Sequence, residues 1–363
     1  AEDAFGTCRR GWRHMQQTGV KRYCHVIMVS GATMLRTEAG PALTHLVVAD
    51  NVDTFSATLP GLELDIVRTG IGIGPNTTRH AAGADIMLAS TSVQFPLLGR
   101  ATIADDRIVV AFLAAVPDGS RWDGVDLSPG MMMLYGQRAE HSGPDIPGLR
   151  YVTLSLSVDR LEETAEQLNL SLGKPPPGMI EVLAPGPRTT RLGNLLRSVD
   201  DPRQAKPETT LETQDLFHAF ATALSDDSAR TPTDRRGKIS DRLITATCIE
   251  YAEATGKTPS IPELCLVAHV SERKLRQAFV DVYDMPPLRY FRYRRLRLAR
   301  TRLLERSQVA KVGDIAADVG FSSQSRFARF YQDTFGEYPS TTLRSNGMAG
   351  KPPTPRSSEL IDS

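Results

Sequence analysis

Two stretches in the last third of this 363-residue chain repeat one pattern of apolar, turn and hydrogen-bonding residues. In the first, Leu264 and Cys265 are followed by His269, Val270, Ser271, Leu275 and Phe279. In the second, Ile315 and Ala316 are followed by Gly320, Phe321, Ser322, Phe327 and Tyr331, with one extra residue between turn and core aromatic. Each reads as a short helix with one apolar face, a tight turn, and a serine capping a second helix that carries Arg and Gln on its outer face. Such a face does hydrogen-bonding chemistry. Guanidinium and amide groups match base-pair edges in a major groove, while caps and backbone amides meet phosphate oxygens. One copy could be any helical hairpin; two copies joined by a helix of suitable length are far more specific.

The joining segment, Pro287 to Glu305, has 19 residues. As a helix it is about 28 Å long at 1.5 Å per residue, against about 34 Å between successive major-groove faces on one side of a duplex. One chain can therefore present both units to the same side of DNA. Arg289, Arg292, Arg294, Arg295, Arg297, Arg300, Arg302 and Arg306 cluster around this helix, interleaved with Leu288, Phe291, Leu296, Leu298, Ala299 and Leu303 at helical spacing. Arginine suits forked contacts to phosphate, and equally suits ion pairs.

The elements that must position these groups follow from the same periodicities. Ile239–Thr255, Ser260–Ala268, Ser271–Tyr283, Pro287–Glu305, Val312–Val319 and Ser322–Phe335 read as helices, with a short last turn near Pro339. Their loops have the short lengths of a compact helical domain. From Arg236 to Asn346 there are nineteen Lys and Arg against twelve Asp and Glu, which leaves the rest of the chain at −6 although the whole is +1. That asymmetry suggests a neutral or acidic regulatory part joined to a part that meets a polyanion. The segment 225–238, nearly devoid of apolar residues, reads as an interdomain linker, and 346–363 as a disordered tail.

The first half reads as strands at His45–Ala49, Leu62–Arg68, Ile86–Ser90, Ile108–Val116, Met131–Tyr135 and Arg150–Val158, punctuated by Gly and Pro turns. Behind an N-cap at Ser157 a helical pattern runs to Gly173. Two more helices, Thr189–Val199 and Leu211–Leu224, serve to cap a barrel or pair subunits. The predicted class is α+β in two domains: a β-sandwich or β-barrel with appended helices over 1–224, and an all-α domain of two helix-turn-helix units over 239–345.

The stretch from Ile315 to Pro339 resembles the signature of the AraC/XylS family of bacterial transcription regulators. Ser271–Phe279, Pro287, Arg295-Leu296, Ala299-Arg300 and Leu303-Leu304 are similar to the rest of that family's DNA-binding domain. By motif, the resemblance implies that the first recognition helix offers Ser271, Arg273, Lys274, Arg276 and Gln277 to DNA. The second offers Ser322, Ser323, Gln324, Ser325, Arg326 and Arg329, with base reading assigned to Arg273, Arg276, Gln277, Gln324, Ser325 and Arg329. Two departures stand out: His269 occupies a turn position that is often smaller, and Thr342-Leu343 replaces the Tyr-Arg usual after the final Pro. The resemblance further implies a divergent cupin-like sensor, a homodimer, double-stranded promoter DNA and RNA polymerase as partners, a small-molecule effector, and activation rather than repression. A first half that binds a partner protein, or a cupin enzyme with a DNA-binding appendage, are the alternatives.

Other chemistry finds little support in the residues. His14, His25, His45, His80 and His141 are scattered singly, without the His-x-His pair a metal-binding cupin needs, so no metal, cofactor or catalytic residue is assigned. Gly70-Ile-Gly-Ile-Gly74 lacks the strand-to-helix setting of a dinucleotide site and reads as a turn. Trp122 and Met131–Met133 read as core. Cys8, Cys24, Cys248 and Cys265 form no CxxC pair, as expected of reduced thiols in a cytoplasmic protein. The longest apolar run, Ile108–Val116, is too short to span a membrane.

Overall fold

The computed structural model describes residues 35–37, 40–42, 44–49, 62–200, 211–225, 230–232, 236–256, 259–305 and 311–348. Cys8, Cys24, His14, His25, Arg306 and the tail beyond residue 348 lie outside them. The strands are β1 (Leu35–Thr37), β2 (Gly40–Ala42), β3 (Thr44–Ala49), β4 (Leu62–Arg68), β5 (Asn76–Ala82), β6 (Ile86–Ser92), β7 (Leu97–Ile103), β8 (Arg107–Ala115), β9 (Arg121–Trp122), β10 (Val125–Asp126), β11 (Met132–Tyr135), β12 (Glu140–Asp145), β13 (Arg150–Ser157), β14 (Ile180–Leu183), β15 (Leu211–Glu212) and β16 (Arg230–Pro232). The helices are α1 (Val158–Gln167), α2 (Pro187–Asp200), α3 (Thr213–Leu224), α4 (Arg236–Thr255), α5 (Ile261–Val267), α6 (Glu272–Tyr283), α7 (Pro287–Glu305), α8 (Val312–Asp318), α9 (Gln324–Phe335) and α10 (Pro339–Met348). The two-part α+β class read from the sequence is the one observed.

The barrel reading is corrected in one respect: among the described residues the strands form separate sheets rather than one closed wall. An eight-stranded sheet runs β16-β14-β11-β8-β13-β6-β5-β3, and a three-stranded sheet runs β12-β7-β4. β8 shows why its sequence is apolar throughout instead of alternating. Ile108, Val110 and Phe112 face α1, α2 and α3, where they meet Leu161, Leu192, Leu196, Phe217 and Phe220. Val109, Ala111 and Leu113 face the small sheet, joining Ile103, Trp122, Met133, Tyr135 and Ile180. Both faces are buried, so both need apolar side chains. The appended helices thus cap the large sheet.

Local rules decide several boundaries. Ser157 caps α1 by accepting from the Arg160 amide at 3.2 Å. The helix ends at Gln167, earlier than the expected Gly173, and Asn169 follows it in the left-handed region (φ 54°). The glycine run after β4 is a crossover between the two sheets: a Cβ on Gly72 would lie 2.0 Å from the Gln94 carbonyl oxygen, so only glycine lets the backbones approach. Part of the expected linker is regular structure, since Thr231 of β16 pairs with Val182 of β14 at the edge of the large sheet. The short last turn is a ten-residue helix, α10, reaching into the expected tail. No described helix is long and apolar enough to cross a membrane.

Candidate nucleic-acid interface

The repeated sequence pattern folds into two helix-turn-helix units, α5–α6 and α8–α9, built around α7. Ser260 and Glu263 form a reciprocal capping box that starts α5. The turn after it is closed by the Val270 amide donating to the Cys265 carbonyl at 3.0 Å, with His269 at φ 53°. The second turn repeats this: the Phe321 amide donates to the Ala316 carbonyl at 2.9 Å, with Gly320 at φ 85°. His269 therefore holds a left-handed position that glycine fills in the other copy.

The caps differ from expectation in the second copy. Ser271 caps α6, accepting from the Lys274 amide at 3.3 Å. In the second unit the cap is Ser323, accepting from Arg326 at 3.4 Å, and Ser322 is an exposed turn residue. The extra residue of the second copy is accommodated at this point.

Inward side chains lock both reading helices to α7. Leu275, Ala278 and Phe279 of α6 pack with Ile244, Cys248 and Ile249 of α4 and with Tyr290 and Phe291 of α7; Phe327 and Tyr331 of α9 pack with Leu296, Ala299 and Leu303. Burial pushes the Cys248 thiol up to about 12, so it stays a protonated, inert core residue. Thr342, the second departure, is buried and bonds the Tyr331 hydroxyl at 2.9 Å and donates to Glu337 at 2.7 Å, which ties α10 to α9.

The outward residues are not equivalent. Arg273, Arg276, Gln277, Gln324, Ser325, Arg326 and Arg329 are exposed. Arg276 donates to Glu272 at 2.6 and 2.9 Å and Gln277 to Asp281 at 2.8 Å, both within α6. Arg329 lies 3.9 Å from Asp333. Lys274 is different: its ammonium sits 2.5 Å from the buried carboxylate of Asp241 on α4, which makes it a strut between helices. Arg273, Arg276, Gln277 and Val280 border an open surface hollow of about 470 Å³ on α6.

The arginines of α7 answer the choice left by the sequence, and ion pairs and stacking win. Arg294 reaches Asp65 of β4 and Glu253 at 2.5 Å each, and Arg297 also pairs with Asp65. Burial alone would weaken Arg294's hold on its proton, but Tyr290, Asp65 and Glu253 more than offset it. Arg300 pairs with Glu337 at 2.8 Å, and Arg302 lies 3.8 Å from Asp318. Arg292 lies 4.3 Å above the Phe330 ring and Arg295 4.6 Å above Phe321, where it donates to the Gly320 carbonyl at 2.8 Å. Burial and the neighbouring Arg292 lower the proton affinity of Arg295. Sequence reasoning missed Asp65, Asp241, Arg242 and Glu337, whose partners lie far along the chain and leave no local spacing to detect.

The chain carries a duplicated helix-turn-helix fold of the kind that binds DNA. A helix-turn-helix domain model matches residues 264–345. XylDLEGF operon transcriptional activator 2 of Pseudomonas putida is 30% identical over 116 residues, covering 31% of this chain and 74% of that protein. XylDLEGF operon transcriptional activator 1 of the same organism is 39% identical over 90 residues. That match covers 24% of this chain and spans only 27% of that relative's length. Among solved structures, "a probable AraC family transcriptional regulator" from Rhodopseudomonas palustris is 32% identical, with a TM-score of 0.27, covering 28% of this chain and 96% of that one. ToxT of Vibrio cholerae is 11% identical, with a TM-score of 0.26 over 78% of this chain and 98% of its own. The chain belongs to the AraC/XylS family of regulators.

Proposed function

We propose that this protein is a promoter-specific, DNA-binding transcription activator, with residues 239–345 as the DNA-binding domain, 225–238 as linker, and 1–224 as a cupin-like domain that senses a small molecule and pairs two copies. The observation that carries the reading is the pair of reading helices fixed on one strut, α7, with Arg273, Arg276 and Gln277 exposed on one and Gln324, Ser325 and Arg329 on the other. Arginine pairs a guanine edge and glutamine an adenine edge, each worth about 1–3 kcal/mol of discrimination. The activator names of the Pseudomonas putida relatives support the direction of regulation, and RNA polymerase is then the partner beside promoter DNA. The reading places the protein in the cytoplasm, without catalysis.

Fluorescence anisotropy of the full chain tests it, using DNA from upstream of its own gene against scrambled DNA at two salt concentrations. Tight binding selective for the upstream DNA supports the proposal. Equal, weak and steeply salt-dependent binding to both overturns it, because phosphate contacts alone behave that way.

A further inference from the structure

The small sheet lies against the helix-turn-helix domain, and Val67 and Leu98 enter that domain's core. Beside this apolar contact is a buried ionisable cluster that DNA reading does not use. Asp123, on the β9–β10 turn at φ 51°, is fully buried. It accepts from the Ser142 amide at 2.9 Å and from Tyr135 of β11 at 3.3 Å, and it pairs with His141 Nδ1 of β12 at 2.9 Å. Its other approach is from the second domain: the Arg242 guanidinium of α4 lies 3.1 Å away, with only 15% of its side chain exposed.

We propose that His141 and Arg242 form a proton-sensitive latch between the two domains, in which protonation of His141 weakens the hold of Asp123 on Arg242. Two cations would then share one carboxylate in a site shielded from water, where like charges repel strongly. The other groups facing His141 are the Tyr135 hydroxyl at 3.2 Å, the edge of Trp122, and Asp145 on its own strand. Asp145 is held by Trp122 Nε1 at 3.0 Å and Tyr151 at 3.3 Å. Asp241, next to Arg242, is engaged by Lys274.

The sign follows from comparing docked and separated domains. In the docked state burial lowers His141's proton affinity and Arg242 lowers it further, while Asp123 and Asp145 outweigh both and leave it above the usual imidazole value. Asp123, Asp145 and His141 all belong to the N-terminal sheets and stay together on separation, whereas the Arg242 guanidinium leaves, so His141 binds its proton more tightly when the domains are apart. Acidification therefore favours separation, through a window that starts above the ordinary imidazole range. Asp145 is raised to about 6 by burial, but its partners all belong to the N-terminal sheets and do not change on separation.

Hydrogen exchange of the full chain, corrected for the chemical rate and followed in β12, which α6 covers, and in α4 between pH 8 and pH 6, reads the latch without DNA. Its outcome is thus separate from that of the DNA-binding proposal. A one-unit difference in His141's proton affinity between the two states raises the open population by at most about tenfold across the full titration. His141→Asn, which keeps a short amide near Asp123, is expected to flatten that rise, and Asp145→Asn to shift it while leaving it in place. Arg242→Gln should exchange fast at both pH values. An unchanged wild-type exchange between pH 8 and pH 6 overturns the latch, as does a rise that persists in His141→Asn. If His141→Asn does not fold, a rise retained in Arg242→Gln overturns it equally.

Discussion

The two helix-turn-helix units share one plan but differ in how much of the molecule holds them. The reading helix of the first, α6, is packed by α4 and α7 and lies against β12 of the small sheet. Its Lys274 is tied to buried Asp241, and its turn tolerates His269 at a left-handed angle. The second, α9, is held by α7 and α10, uses glycine in its turn, and leaves Arg326 and Arg329 exposed. The same local pattern thus yields an anchored reader and a freer one. The difference lies in which neighbours the fold brings, since the repeat itself is nearly the same in both copies.

The largest break in this comparison comes from the cores. Phe279→Ala and Phe327→Ala each empty a fully buried site and should cost about 3–5 kcal/mol in denaturant melts of the full chain. Loss in the first should also loosen the contact of α6 with β12, read as faster exchange in that strand, while loss in the second should leave β12 protected. Next come the arginines proposed to read bases. Arg329→Ala and Arg276→Ala should each lower affinity for the selected promoter DNA by about 1–3 kcal/mol, with little change on scrambled DNA. A uniform loss with a shallower salt slope would instead assign them to phosphate. Lys274→Met should affect stability more than binding, because it strips Asp241 of its cation.

The turns give a smaller effect of opposite sign in the two copies. Gly320→Ala should destabilise by about 1–2 kcal/mol, the cost of a side chain in the left-handed region. His269→Gly should stabilise the first turn by less than about 1 kcal/mol, since relief of strain is offset by the greater freedom of glycine in the unfolded chain. Matched melting curves of the two variants check both signs. Thr342→Val should cost about 1 kcal/mol by leaving Tyr331 and Glu337 one bond short.

Much of the reading half was legible because its signals are local. Serine caps, left-handed turn positions and apolar residues three and four apart act over one or two helical turns, and they place α4 to α9 within a few residues of where they are. Ser322 against Ser323 is the instructive miss: with two adjacent serines the sequence offers two caps, and the fold uses Ser323, beside the Phe321–Phe327 ring contact. In the first half β4 and β13 were clear, whereas β5 (Asn76–Ala82) and β12 (Glu140–Asp145) were not, because His80, Gly143 and Pro144 do not look like strand residues. Their partners across the sheet supply the stability that their own sequences lack.

Sequence alone determined the two-part organisation, the duplicated pattern and its exposed Arg and Gln faces, since periodicity and capping are properties of neighbouring residues. Only the tertiary structure decided what the arginines of α7 do. Arg294 and Arg297 meet Asp65 across more than two hundred residues of chain, Arg292 and Arg295 stack on phenylalanines of the second unit, and Arg242 reaches Asp123 in the other domain. A charge on a helix carries no record of its partner in the sequence. Whether it faces solvent, phosphate or a buried carboxylate is settled by which surfaces pack together, and that depends on burying apolar area across the whole chain.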